Sequence, residues 1–131
     1  IIYTTATPQY IKEILNMAKE LTDKACYSLG WVYCKLKQAV EKTKYVQFGD
    51  MDCMYPMVSF TNMNRKAIEE GVIDESLMRE LADVISNVDY LPEAKDKRVL
   101  SIEKQSVWQL GFYHAMTKSK FENMKFDEKN N

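Results

Sequence analysis

Arginine is scarce in this chain. Only Arg65, Arg79 and Arg98 carry the planar fork that grips phosphate with two hydrogen bonds, and the remaining positive charge is lysine. The formal charge is −1, so the basic footprint of a dedicated nucleic-acid binder is missing. Cysteine is sparse as well. Cys26, Cys34 and Cys53 are an odd number with no C-x-x-C pair, which argues against a disulfide framework or a structural zinc site and favours a reducing, cytoplasmic setting. No apolar run is long enough to cross a bilayer, and no membrane partner is expected. No glycine-rich loop follows a strand-like segment, so a phosphate cradle is unsupported and no cofactor is expected. Ser106 sits in "EKQSVW" without the strained G-x-S-x-G elbow of a serine hydrolase. The chain opens on Ile1 rather than Met, so a leader segment cannot be tested for.

What is present reads as one globular unit. The 131 residues are enough for a real core, and the apolar share of 46% and charged share of 28% are those of an ordinary folded domain. A single domain over 1–124 and a frayed tail over 125–131 are expected. The fold class expected is mainly α (α+β): a helical bundle built on a long N-terminal helix. A small β element is expected from residues near 1–6 and from 45–61.

The expectation rests on period. The opening "IIYTTAT" is β-branched and reads as a strand. Thr7 and Pro8 suit a helix start. Apolar or small residues then recur at Ile11, Leu15, Ala18, Thr22, Ala25, Leu29, Val32, Leu36 and Ala39, in steps of four and three. That heptad-like seam predicts a helix from about 8 to about 43, or two helices split near "LTDK" at 21–24. A continuous helix would be on the order of 50 Å long, more than one small domain covers easily. Its uncovered seam suggests a homodimer or a protein partner, with Ile11, Leu15, Leu29 and Leu36 as interface residues. "YVQFG" at 45–49 and "MVSFT" at 57–61 alternate and read as strands around a turn. Asn62 or Asn64 can start a short helix that stops at Gly71, Asp74 can cap another, and Ser101 can open the last. In that last helix Val107, Leu110, Gly111, His114 and Phe121 fall on one side, with Trp108, Phe112 and Ala115 beside them.

Two stretches resemble each other: "YSLGWVY" at 27–33 and "WQLGFYH" at 108–114. Each buries a glycine in an aromatic-rich helix, where glycine costs roughly 1 kcal/mol relative to alanine. A close helix crossing offsets that cost by letting a neighbour approach. The other reading is a flat-ligand pocket walled by Trp31, Trp108, Tyr113 and His114, with Cys53 nearby. Packing is the preferred reading, because aromatic residues at helical spacing are usually core.

Little chemistry is legible. His114 is the only histidine and Cys53 could serve as its nucleophile, but no local signature joins them. Asp50 and Asp52 in "GDMDC" can hold a divalent cation, yet aspartate is also what a solvated turn uses, and no metal site is expected. Lysines at 35, 37, 42 and 44, and at 118, 120, 125 and 129, are diluted by acidic residues. The function expected is therefore that of a non-enzymatic intracellular accessory protein acting by protein–protein interaction or self-assembly. The alternatives are a small enzyme or ligand-binding protein using His114 and Cys53, and a nucleic-acid-binding accessory protein using its lysine-rich faces.

Overall fold

The structure is a computed structural model, and it describes residues 21–46, 49, 52–89, 98–118, 120, 121 and 126. Four helices make up its regular structure: α1 (Asp23–Val40), α2 (Pro56–Glu69), α3 (Glu75–Ile85) and α4 (Ile102–Thr117). No strand occurs among the described residues. The mainly helical reading holds.

Each helix start has a local cause. Thr22, in extended backbone, accepts a hydrogen bond from the Ala25 amide at 3.0 Å and caps α1. The helix therefore begins at Asp23, at the split, and does not run continuously from residue 8. The segment 8–20 and the strand expected over 1–6 lie outside the described residues. Asp74 caps α3 by accepting from the Leu77 amide at 2.8 Å, and Ser101 caps α4 by accepting from the Lys104 amide.

The strand expected over 57–61 is instead the first turn and a half of α2. Pro56 takes the first helical position, where its missing N–H leaves nothing unsatisfied. Met57, Phe60, Met63 and Ala67 are buried at steps of three and four, a helical spacing that five residues of alternation disguise. The helix thus starts earlier than Asn62. It stops where expected: Gly71 has a φ of +65°, its amide bonds the Ile68 carbonyl, and the Val72 amide reaches back to Ala67. That is a Schellman stop, and only glycine enters it without strain.

Helix α1 lies at the centre. From Ala25 to Cys34 every residue is buried, so neighbours must cover it on all sides. α4 covers one side and runs in the same direction. Lys104 at its start bonds Asp23 at 2.7 Å, and Lys35 near the end of α1 donates to the Lys118 carbonyl. α2 and α3 cover the other sides.

The two glycine stretches meet each other. A Cβ on Gly30 would overlap the Trp108 carbonyl oxygen, and a Cβ on Gly111 would overlap the Tyr27 carbonyl oxygen. The contact is reciprocal: each helix lays its backbone over the other's glycine. Trp31 and Trp108 are 0% exposed, and Trp108 stacks on Phe112 with Tyr33 tilted against both. The crossing reading is correct.

Adding one methyl at either glycine collides with a backbone carbonyl, which cannot rotate away. Gly30→Ala and Gly111→Ala should each lower stability by about 1–3 kcal/mol, read as a lower urea midpoint. Gly49→Ala is the control, since its Cβ meets only the Asp52 carboxylate at 3.8 Å, and it should be neutral or slightly stabilising. Higher midpoints for Gly30→Ala and Gly111→Ala would mean that the helices do not touch there.

Candidate interaction surface

The glycine contact fixes how α4 is rotated. Successive residues turn by about 100°, so Trp108, Gly111 and Ala115 share the inner face, and all three are buried. The opposite face carries Ile102, Ser106, Leu110, Tyr113 and Thr117, with Met116 beside them, and all are exposed. Ile102 is 76% exposed, Met116 58%, Tyr113 55% and Leu110 39%. Leu110 therefore lies outside, not with the core residues as the sequence pattern suggested.

This outer face differs from an ordinary solvated one. No Asp, Glu, Lys or Arg occurs between Gln105 and Thr117. The two hydroxyls on it turn inward onto their own helix: Ser106 donates to the Ile102 carbonyl at 3.1 Å and Thr117 to the Tyr113 carbonyl at 3.2 Å. They present carbon outward and would lose little on being covered. A contiguous apolar patch of this kind marks contact surfaces more often than solvent-facing helices.

A second apolar feature lies across the molecule. Val32, Phe60, Ala67, Ile68, Met78, Leu81 and Ile85 line a groove of about 510 Å³ between α1, α2 and α3, with Asn64 as a polar group on its wall.

The residues expected at a ligand site are dispersed. Trp31 and Trp108 are enclosed on all sides, leaving no face for a flat ligand. Tyr113 points outward on α4. His114, half-buried, shares a 2.5 Å hydrogen bond through Nδ1 with the hydroxyl of buried Tyr27, whose ring packs edge-on against it. Cys53 is buried between two α4 side chains. Its thiol donates to Gln105 Oε1, and Gln109 Nε2 donates to its sulfur, both at 3.6 Å. His114 is five positions beyond Gln109, about 140° further round the helix. Cys53 and His114 thus occupy opposite flanks of α4.

The interface residues fare differently from expectation. Leu29 and Leu36 are 1% and 0% exposed inside the fold, so the seam they belong to is covered by α1's own neighbours. Ile11 and Leu15 lie outside the described residues. Asp52 is used structurally: its Oδ2 accepts from the Tyr33 hydroxyl at 2.5 Å and the Gly49 amide at 3.0 Å, tying the turn to α1. Asp50 lies outside the described residues. Among the described residues no cluster of His, Cys, Asp and Glu has the makings of a metal site, and no helix is long and apolar enough to cross a membrane. Of the first lysine group, Lys35 faces Glu80, Lys37 faces Glu41 and Lys44 faces Glu70. Lys125 and Lys129 lie outside the described residues.

No family model, curated protein or solved structure matches this chain.

Sequence reading missed the α4 outer face. The available signal was the charge-free run from Gln105 to Thr117, which a fully aromatic-looking helix concealed by making every side resemble core.

Among the described residues, burial has moved two ionisable groups. Burial, reinforced by the hydrogen bond to the Asp52 carboxylate, raises the Tyr33 phenol well above its ordinary range. Burial also pushes the Cys34 thiol from 9.0 up to about 11. Both groups are held neutral, so the stability they contribute is complete below the unfolded values and is lost as pH rises. The urea midpoint should be level to about pH 8.5, then fall between about pH 9 and 11 as unfolded Cys34 ionises first, by up to about 2–3 kcal/mol. Cys34→Ala should flatten that part of the curve, whatever its effect on the absolute value. An unchanged slope would show that Cys34 is not the group responsible.

The separation of Cys53 from His114 has its own test. Iodoacetamide at pH 7.5 should label Cys53 in the folded protein far more slowly than in urea, and His114→Ala should leave the folded-state rate unchanged. A rate that collapses in the His114 variant would show that the two side chains act together.

Proposed function

We propose that this chain acts by binding protein through the outer face of α4, as a small intracellular accessory protein without chemistry of its own. One observation carries the reading. A helix that packs tightly on its inner face keeps Ile102, Leu110, Tyr113 and Met116 exposed on the other, with no charged residue from Gln105 to Thr117. Exposed apolar side chains in a charge-free row are surface that a partner can cover at little desolvation cost. The aromatic and Met content fits a contact surface, where such side chains supply most of the binding energy.

The rival readings have less support. For an enzyme, Cys53 and His114 fall on opposite flanks of α4, and both tryptophans are sealed in the core. For nucleic-acid binding, three of the four lysines of the first group, Lys35, Lys37 and Lys44, lie against carboxylates, which removes part of the counter-ion release that drives such binding. The three cysteines are unbridged and buried, as suits a reducing compartment.

The experiment is a paired capture. The tagged protein and its Tyr113→Glu variant are exposed to the same cell extract, and retained chains, including untagged copies of this protein, are quantified. A chain retained by the parent should fall at least about tenfold with the variant, because the new carboxylate loses its water on docking. The urea midpoint should stay within about 0.5 kcal/mol of the parent, since the position is on the surface. Equal retention by both proteins would remove α4 as the contact surface.

A further inference from the structure

We infer that the groove between α1, α2 and α3 is a binding site for a small amphiphile with an unbranched aliphatic tail and a carboxylate head. The inference goes beyond the contact role of α4 and does not depend on it.

The groove exists because two helices lean on a third and scarcely on each other. α3 is tied to α1 by Lys35 with Glu80 and by Asn87, which donates to the Ser28 hydroxyl at 3.1 Å. The end of α2 is tied at Glu70, which pairs with Lys44 just past the end of α1 at 2.7 Å. Where α2 and α3 would otherwise meet, small residues face the gap, Ala67 on one side and Ala82 on the other. Buried Val32 of α1 lies at the floor, while Ile68 and Met78 stand at the lips, 63% and 59% exposed. Walls from three helices therefore surround an inserted tail on three sides.

Size and lining suit an aliphatic chain. The volume of about 510 Å³ falls within the roughly 300–1,000 Å³ of small-molecule sites. Folded interiors close-pack and keep few voids larger than a water molecule, so apolar space of this extent forgoes contacts that a row of methylenes supplies. Water gains little there, because Asn64 is the only polar side chain in the lining.

The polar end of the ligand is specified by the α2 lip. Asn64, half-buried, has no protein hydrogen-bond partner among the described residues. Arg65 follows it and lies in one row of α2 with Thr61 and Ile68, along the outer edge of the groove. Among the described residues Arg65 faces no carboxylate at ion-pair distance, and its contact is a long 3.4 Å hydrogen bond to Asn62 Oδ1. Glu69 lies further round the helix from the groove, so the charge nearest this lip is positive. On the α3 side Glu75 and Arg79 neutralise each other at 2.6 Å. A carboxylate at the α2 lip accepts from the Asn64 amide and from the Arg65 fork, the geometry in which arginine binds most strongly.

Isothermal titration of the whole chain with straight-chain carboxylates from hexanoate to hexadecanoate, each kept below its micelle concentration, tests this. Affinity should rise about threefold to fourfold per added methylene and level off once the groove is full. Ala82→Trp, at an exposed position on the groove wall, should weaken binding at least about tenfold. Ile68→Glu, at the opposite lip, should do the same if Ala82→Trp disturbs folding. Arg65→Glu should weaken the carboxylate at least about tenfold and the alcohol of the same length less than about twofold. Tyr113→Glu should leave binding unchanged, which separates this test from that of the α4 face. No binding at any chain length would overturn the inference. So would an affinity that rises without a plateau and survives Ala82→Trp, the mark of non-specific association. Equal losses of acid and alcohol in Arg65→Glu would overturn the carboxylate head.

Discussion

The reciprocal contact between Gly30 and Gly111 is the constraint on which the rest of this molecule depends. At each glycine the opposing helix places a main-chain carbonyl where a Cβ would stand. Side chains can change rotamer to relieve crowding, but a carbonyl within a helix moves only if the helix moves. The contact therefore sets both the separation and the relative rotation of α1 and α4. Each glycine costs roughly 1 kcal/mol in helix propensity. The close approach offsets this by letting Trp108, Phe112 and Tyr33 stack beside the crossing and letting Phe121 close edge-on over Trp31 and Tyr27.

That fixed rotation distributes the polar side chains. With Gly111 turned inward, His114 is carried to one flank, where it meets Tyr27, and Gln105 and Gln109 to the other, where they hold the Cys53 sulfur. The turn bearing Cys53 is secured separately, by Tyr33 and the Gly49 amide on the Asp52 carboxylate and by Ser59 on the Asp52 carbonyl. The groups that looked most capable of chemistry are thus structural ties between elements. Their geometry is explained by packing, with no pair left pointing into a shared space.

How much of this was legible in the sequence depended on whether the cause was local. Thr22, Asp74 and Ser101 act within three residues of themselves; the starts capped by Asp74 and Ser101 were read directly, whereas Thr22 was placed in the seam and showed only as a possible split at 21–24. Gly71 likewise marks its stop. The two aromatic-flanked glycines betrayed the crossing because mid-helix glycine demands compensation. By contrast, "MVSFT" alternates over too few residues to reveal its period, and Pro56 was needed to mark it as a helix start. The seam through Leu29 and Leu36 was real, but α1 is covered by its own chain, a fact of tertiary arrangement that spacing alone does not contain. In the candidate site, Tyr113 had been read as a wall of a pocket and lies on the exposed outer face, and Leu110 was placed on the wrong face. α4 is apolar all round, so its pattern has no preferred direction until Gly111 is known to touch Tyr27.

The contrast between α3 and α4 shows what the outer face of α4 lacks. α3 also exposes one side to water, and there it carries Glu75, Arg79 and Asp83, with Arg79 and Glu75 paired at 2.6 Å one turn apart. That is a solvated helix surface, stabilised by its own charges. α4 has the same opportunity over a longer span and does not take it. Its inner face requires Trp108, Gly111 and Ala115, but nothing in that packing requires Leu110, Tyr113 or Met116 on the other side, where lysine or glutamate would fit and favour solubility. Among the described residues, core packing therefore accounts for one half of α4 and leaves the other half uncovered. That uncovered apolar half, set against the charged outer side of α3, is the observation from which the proposed contact role starts.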